Sequence, residues 1–278
     1  MPLPAQMKEL IRLLMPPVVY RAAAHWLTRQ QPNTPALNYV PNGWRDAAHY
    51  RGWNAEGVLE AYKATWPRLV RESQTATPLN VIMGTDDVGM QNVLLCFAYS
   101  LALAAQNKTA LSMLDWGGAI GQYKLLAQAA LPGVPIKYHC KDVPLLAEYG
   151  QQINPDAYFS SEAASCLSRS YDFILVSSSL HYSEDWQADF RALARAADGY
   201  LLLTRTPVND EDSSFVFSQS AYGSEWLGWS LKRRDLLNCA AAEGLSVVRE
   251  FMMSDVDIPI VNAPYRSRQR GFLFRSQR

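Results

Sequence analysis

An apolar run that ends in an acid and breaks at once into closely spaced glycines sets the strongest limit on what this chain can become. Leu111-Ser-Met-Leu-Asp-Trp-Gly-Gly-Ala-Ile-Gly-Gln-Tyr123 reads as a buried strand, a glycine-rich turn and the start of a helix. Strand, tight turn and helix together form the opening unit of a parallel α/β sheet. Glycine lets the backbone approach a ligand closely, and a helix start offers N–H groups without intrahelical partners. The glycines stand at 117, 118 and 121 in G-G-x-x-G spacing. A dinucleotide fingerprint has the spacing G-x-G-x-x-G and sets a pyrophosphate on the helix N-terminus. Asp115, two residues before the first glycine, repels a phosphate and suits a ligand carrying positive charge.

The rest of the chain agrees with an α/β sheet from about residue 110 onward. Strand-like runs occur at Leu111–Trp116, Ile136–Asp142, Tyr158–Ser161, Tyr171–Ser178, Tyr200–Arg205, Ser246–Met253 and Gly271–Phe274. Helices fill intervals between them at Gly121–Ala130, Leu145–Ile153, Trp186–Ala197 and Arg233–Glu243. Such alternation predicts parallel strands joined by right-handed crossovers, with helices on both faces. The last two runs enclose Pro259 and Pro264 without a helix, which predicts a terminal antiparallel pair. Upstream the pattern is helical and aromatic, with helices expected from Asn54 to Trp66 and from Asp87 to Gln106.

Composition narrows the function class. The 278 residues carry 26 basic and 26 acidic side chains, so the basic stripe of a nucleic-acid binder is missing and no nucleic-acid partner is expected. The four cysteines are far apart with no C-x-x-C pair, which predicts reduced thiols and no zinc site. No metal-ligand constellation and no G-x-S-x-G elbow occur. No apolar run is long enough for a transmembrane segment, and a cytoplasmic location is expected. Residues 8–28 are apolar with scattered cations, interrupted by Pro16-Pro17; they read as a helix packing on the protein, with peripheral membrane contact as the alternative.

In a doubly wound sheet the ligand lies at the carboxyl ends of the strands. Those ends carry Asp115 with Gly117, Gly118 and Gly121, then Asp142, then Ser161 and Glu162, then Ser177 to His181, then Thr204-Arg205. A carboxylate accepts two vicinal hydroxyls, which suits Asp142 to a ribose. Ser161 and Glu162 stand where an adenine would lie. S-adenosylmethionine has the ammonium and sulfonium that Asp115 calls for.

In this order the motifs resemble the class I S-adenosylmethionine-dependent methyltransferases. More narrowly the chain resembles a little-characterised bacterial family of predicted methyltransferases, several linked to surface-polysaccharide gene sets. The carrying residues are Leu114-Asp-Trp-Gly-Gly-Ala-Ile-Gly-Gln-Tyr123, Asp142-Val-Pro144 and Tyr171-Asp-Phe-Ile-Leu-Val-Ser-Ser-Ser-Leu-His-Tyr182, with Trp44 and Gly52-Trp53 as a similar lead-in. The resemblance implies a Rossmann-like sheet, mostly parallel, of seven strands with the last antiparallel. It implies a helical cap over residues 1–108 and a catalytic domain over 109–278. Gly117, Gly118 and Gly121 would pass the methionine part of S-adenosylmethionine, Asp115 would receive its ammonium, and Asp142 would bind its ribose. The implied activity is O-methylation of a sugar or other small polar acceptor. Trp116 and His181 depart from the residues expected at their positions.

Each candidate has a structural alternative. Asp115 can cap the turn after it, Asp142 can cap a helix, Glu162 can be simply exposed, and Ser177 can satisfy backbone at a strand end. His181, at the mouth of the fourth strand, titrates near neutrality when unperturbed and suits a general base on an acceptor hydroxyl; a structural role is the alternative. His139 reads as core. Tyr50, Trp53 and Tyr222 are candidates for the acceptor pocket or for packing, and Val208–Ser230 reads as a lid or insertion. Two other classes stay open: a non-catalytic methyltransferase-like scaffold and a nicotinamide-dependent oxidoreductase on a similar fold.

Overall fold

A computed structural model describes residues 36–75 and 88–278. The strands and helices that build the site belong to one compact unit, residues 37–278. The segment 8–28, expected from its sequence to be a packed or membrane-facing helix, lies outside the described residues.

Seven strands make up the main part of the sheet, and those at its centre are buried on both faces, as parallel strands covered by helices must be. The seven are β2 (Leu111–Trp116), β3 (Ile136–Lys141), β4 (Tyr158–Ser160), β5 (Tyr171–Ser177), β6 (Ala197–Asn209), β9 (Leu245–Asp257) and β11 (Arg268–Ser276). They lie side by side as β4-β3-β2-β5-β6-β11-β9, with β11 antiparallel to both its neighbours and the first five mutually parallel. This is the Rossmann-like arrangement expected from the sequence, with the antiparallel last strand. After β4 the chain returns to the other side of β2, so the strand order reverses between β2 and β5. A crevice opens at such a reversal, outside the carboxyl ends of the strands.

Seven helices belong to the described residues: α1 (Glu56–Ser73), α2 (Val88–Ala104), α3 (Gln122–Ala130), α4 (Pro144–Ile153), α5 (Ala163–Leu167), α6 (Trp186–Ala196) and α7 (Arg233–Ala242). Period-two alternation splits each strand between two cores. Leu114, Ile174, Val176, Leu201, Leu203, Phe272 and Phe274 face Phe190 and Leu193 of α6 and Leu236 of α7. Leu111, Met113, Phe173, Leu175, Leu202 and Leu273 face Leu94, Phe97 and Leu101 of α2 and Leu126 of α3. Among the described residues no helix is long and apolar enough to cross a membrane.

Three expectations change in detail. Helix α1 begins at Glu56, not Asn54, and runs through Pro67 to Ser73. Asn54 instead lends its Oδ1 to the N–H of Leu145 at 3.0 Å, satisfying an unpaired donor in the first turn of α4. The stretch read as a lid or insertion beyond the fifth strand holds a hairpin, β7 (Phe215–Ala221) and β8 (Ser224–Lys232). Its two-residue loop is Tyr222-Gly223, both at positive φ as a tight hairpin with the native twist requires. Strand β6 is longer than expected and its end pairs with β8 through Val208↔Leu231 and Asn209↔Lys232. Short strands β1 (Ala36–Tyr39) and β10 (Ile260–Val261) extend the sheet beyond β7.

Leu203 is fully buried on β6, the strand that joins the parallel half of the sheet to β11. Leu203→Ala removes packing from a core with no room to collapse, so denaturant unfolding is expected to show a loss of about 2–5 kcal/mol.

Candidate active site

The glycine turn after β2 is built by contacts that leave no room for side chains. Gly117 has φ +76°, and a methyl group on it would strike Ser179, whose hydroxyl donates to the Trp116 carbonyl at 2.5 Å. A methyl on Gly118 would come closer than 3.0 Å to the Asp115 carboxyl and to Cys140 Sγ. Gly121, also at positive φ, caps α3 against the Phe159 ring. Ala119, between them, holds φ +51° because its N–H donates to Asp142 Oδ2 at 2.6 Å. The same carboxylate accepts the Val143 N–H through Oδ1 at 2.7 Å. Asp142 thus ties the end of β3 to the glycine turn; the N-cap of α4 is Val143.

Asp115 is fully buried beneath this turn. The Tyr138 hydroxyl donates to its Oδ2 at 2.5 Å, while Oδ1 is buried with no partner among the described residues. Burial pushes its carboxyl up to about 7, opposed by the Tyr138 hydrogen bond, raised further by Asp142 and lowered by Arg205. Burial also raises Asp142, against the amides of Val143 and Ala119. Two carboxylates held in one dry crevice, one with a spare acceptor, make a place that gains from an arriving cation.

Across the strand-order reversal, Ser177 ends β5 in a chain of hydroxyls. Thr204 Oγ1 donates to Ser177 Oγ at 2.8 Å and the Arg205 guanidinium donates to it at 3.2 Å. Both lone pairs of Ser177 are then taken, so its own proton goes to the Tyr123 hydroxyl 2.9 Å away. Ser178 and Arg205 lie in the left-handed backbone region, φ +57° and +51°. With Ala119 they place three non-glycine residues of costly conformation at the carboxyl ends of the sheet, where strain gathers at functional sites.

His181 sits in the 3-10 turn Leu180–Tyr182, 2% exposed, its ring centroid 3.9 Å from that of Tyr182. Its Nδ1 is buried without a partner among the described residues. Burial, with Arg205 nearby, pushes its pKa down to about 3. The neutrality-poised base expected from the sequence therefore meets an environment that holds the imidazole neutral. Ser161 is half-buried and Glu162 exposed at the end of β4. His139 is core as expected, packed between Tyr158 and Tyr171 with Arg169 at 3.3 Å from Nε2.

Of the acceptor-side aromatics, Trp53 lies 4.0 Å from Trp226 and 5.0 Å from Tyr182, centroid to centroid. Tyr222, at the hairpin tip, is exposed and its carbonyl lies against Gly57 of α1. Sequence reasoning missed Tyr138; Tyr123 and Arg205 fell inside the quoted motif and strand end but were given no role. Tyr138 had a signal: it shares a strand face with Cys140 and Asp142, and in register Cys140 lies beside Asp115.

No protein-family model matches the chain, and no curated protein matches it in sequence. Solved structures of similar fold include an S-adenosylmethionine-dependent methyltransferase from Clostridium acetobutylicum, at 12% identity over 71% of this chain and 95% of that one, TM-score 0.46. They also include the sugar N-methyltransferase KedS8 from a Streptoalloteichus species, at 12% identity over 65% and 86%, TM-score 0.41. A third is the [4+2]-cyclase SpnF, at 14% identity over 78% and 94%, TM-score 0.46. All three likenesses are distant.

Asp115 is protonated more readily in the folded state than in the unfolded chain. Between pH 4 and 7 the native state binds the extra proton, so stability falls as pH rises through that window. Above it the ionised carboxylate costs the fold on the order of 4 kcal/mol. Asp115→Asn is therefore expected to raise the melting temperature at pH 8, with the gain vanishing by pH 4; thermal melts across that range check it. A variant less stable than the wild type at pH 8 contradicts this account of the site.

Proposed function

We propose that this protein is an S-adenosylmethionine-dependent methyltransferase acting on a hydroxyl of a sugar or other small polar acceptor. One observation carries the reading: the buried, unpartnered Oδ1 of Asp115, under a turn cleared of side chains at Gly117 and Gly118. An ammonium group satisfies that oxygen, and a phosphate does not. The residues fit the cofactor: Asp115 would hold its amino group, Gly117, Gly118 and Gly121 would admit its methionine part, and Asp142 would take its ribose. Ser161, Glu162 and Ser177 would line the remainder of the same strand ends. When bound, the cofactor supplies a methyl group already activated by its sulfonium charge, so positioning can do much of the catalysis.

The chain's own residues divide the remaining work. Tyr138 holds the Asp115 carboxylate in place through Oδ2 and leaves Oδ1 for the ligand. His181, neutral in its buried setting, orients an acceptor hydroxyl by hydrogen bonding instead of storing its proton. Trp53 and Tyr182, half-buried beside Trp226, offer apolar surface of the kind that packs on a sugar ring.

Isothermal titration with S-adenosylhomocysteine, with NAD as a control, tests the assignment. Micromolar binding of S-adenosylhomocysteine and none of NAD is expected. Asp115→Ala and Asp142→Ala are each expected to weaken it at least about tenfold, or about 1.4 kcal/mol. Absence of S-adenosylhomocysteine binding by the wild-type protein overturns the proposal, and tight NAD binding in its place favours the oxidoreductase.

A further inference from the structure

Arg205 stands within β6, one residue past the point where its pairing with β5 ends at Thr204, in a conformation that an arginine adopts only at a cost, φ +51°. Its neighbours hold it there without neutralising it. One guanidinium N–H reaches Ser177 Oγ at 3.2 Å; Nε is buried with no partner, and the side chain forms no ion pair among the described residues. A guanidinium carries five N–H donors in a planar fork, and Ser177 absorbs one of them. The serine has no capacity left, because Thr204 takes its second lone pair and Tyr123 its proton. Through Ser177, Arg205 joins the hydroxyl chain that ends at Tyr123, and its charge acts on the buried His181 and Asp115 of the same strand ends.

Strand order says which part of a ligand meets it. Along the sheet run β3 with Asp142, β2 with Asp115, then β5 with Ser177, then β6 with Arg205. If Asp142 marks the nucleoside and Asp115 the ammonium, Arg205 lies further from the nucleoside, on the strand beyond β5 and in contact with Ser177 at the end of β5. We propose that Arg205 binds an oxyanion carried by the methyl acceptor, so that the acceptor is an acidic molecule such as a uronic acid and not a neutral sugar. This inference rests on the methyltransferase reading for the identity of the other ligand. A planar guanidinium meets a carboxylate through two parallel charge-assisted hydrogen bonds, which gives selectivity for acidic over neutral acceptors. The carboxylate of the cofactor's own amino-acid end has the same chemistry and is the competing source.

The test uses wild-type protein, Arg205→Gln and Arg205→Lys, each shown to be folded by circular dichroism. Calorimetry first compares S-adenosylhomocysteine with 5′-methylthioadenosine, which lacks the amino acid. The protein, with and without S-adenosylhomocysteine, is then titrated with D-glucuronate, its uncharged counterpart D-glucose, and inorganic phosphate. Glucuronate is expected to bind the wild type at least about tenfold more tightly than glucose. Arg205→Gln is expected to erase that preference while binding S-adenosylhomocysteine within about twofold of wild type, and Arg205→Lys to retain part of it. Loss of S-adenosylhomocysteine but not methylthioadenosine binding in Arg205→Gln assigns the arginine to the cofactor and overturns the proposal. Equal affinity of the wild type for glucuronate and glucose overturns it as well. Failure of the wild type to bind S-adenosylhomocysteine sinks the methyltransferase reading instead, and the titrations without it still decide whether Arg205 selects an anion.

Discussion

The hydrogen bond from the Ala119 amide to Asp142 is the contact on which the rest of the site depends. It holds a non-glycine residue in the left-handed region and so sets the path of the turn between β2 and α3. That path lays Gly118 directly on the Asp115 carboxyl and seals it from water. Had the turn opened, Asp115 would be an ordinary solvated acid with no reason to prefer one ligand over another. The Tyr138 hydroxyl completes the arrangement by occupying one carboxylate oxygen only. A buried carboxylate with one satisfied and one vacant acceptor is expensive to fold around, and its cost falls when a cation arrives.

The crevice is polarised. Two carboxylates occupy the β2–β3 side, and the Arg205 guanidinium occupies the β6 side with the Ser177 hydroxyl network between them. Low dielectric makes such opposed charges count for more than they would in water. The same arrangement explains His181. Shut away from solvent, and with the charge of Arg205 acting on it as well, the imidazole is held neutral. A histidine at a strand mouth is thus a different chemical object depending on its burial and then on its cationic neighbour, which no reading of the local sequence reveals.

Strand β6 links this polarity to the second part of the molecule. Its first half lies between β5 and β11 in the core of the sheet, and its far end pairs with β8 of the hairpin. Arg205 falls between the two segments. The hairpin carries Trp226 against Trp53 and Tyr182, so the aromatic wall is set by a hairpin paired to the far end of the same strand that carries the arginine.

The sequence by itself determined the alternating α/β order, the glycine turn and the acids at 115 and 142. Each follows from local physics: buried parallel strands read as apolar runs, tight turns demand glycine, and strand ends face the crevice. Strand β2 was legible to the residue, as was the antiparallel character of β9 and β11. The hairpin was not, because its serine-rich strands and Tyr222-Gly223 loop also suit an irregular insertion. Only the tertiary structure decided which acid is sealed and which one braces the turn. It also decided that Asn54 serves a helix other than its own, that Arg205 forms no ion pair among the described residues, and that burial holds His181 neutral. Charge state, burial and hydrogen-bond saturation depend on groups brought together from distant strands, and spacing along the chain does not encode them.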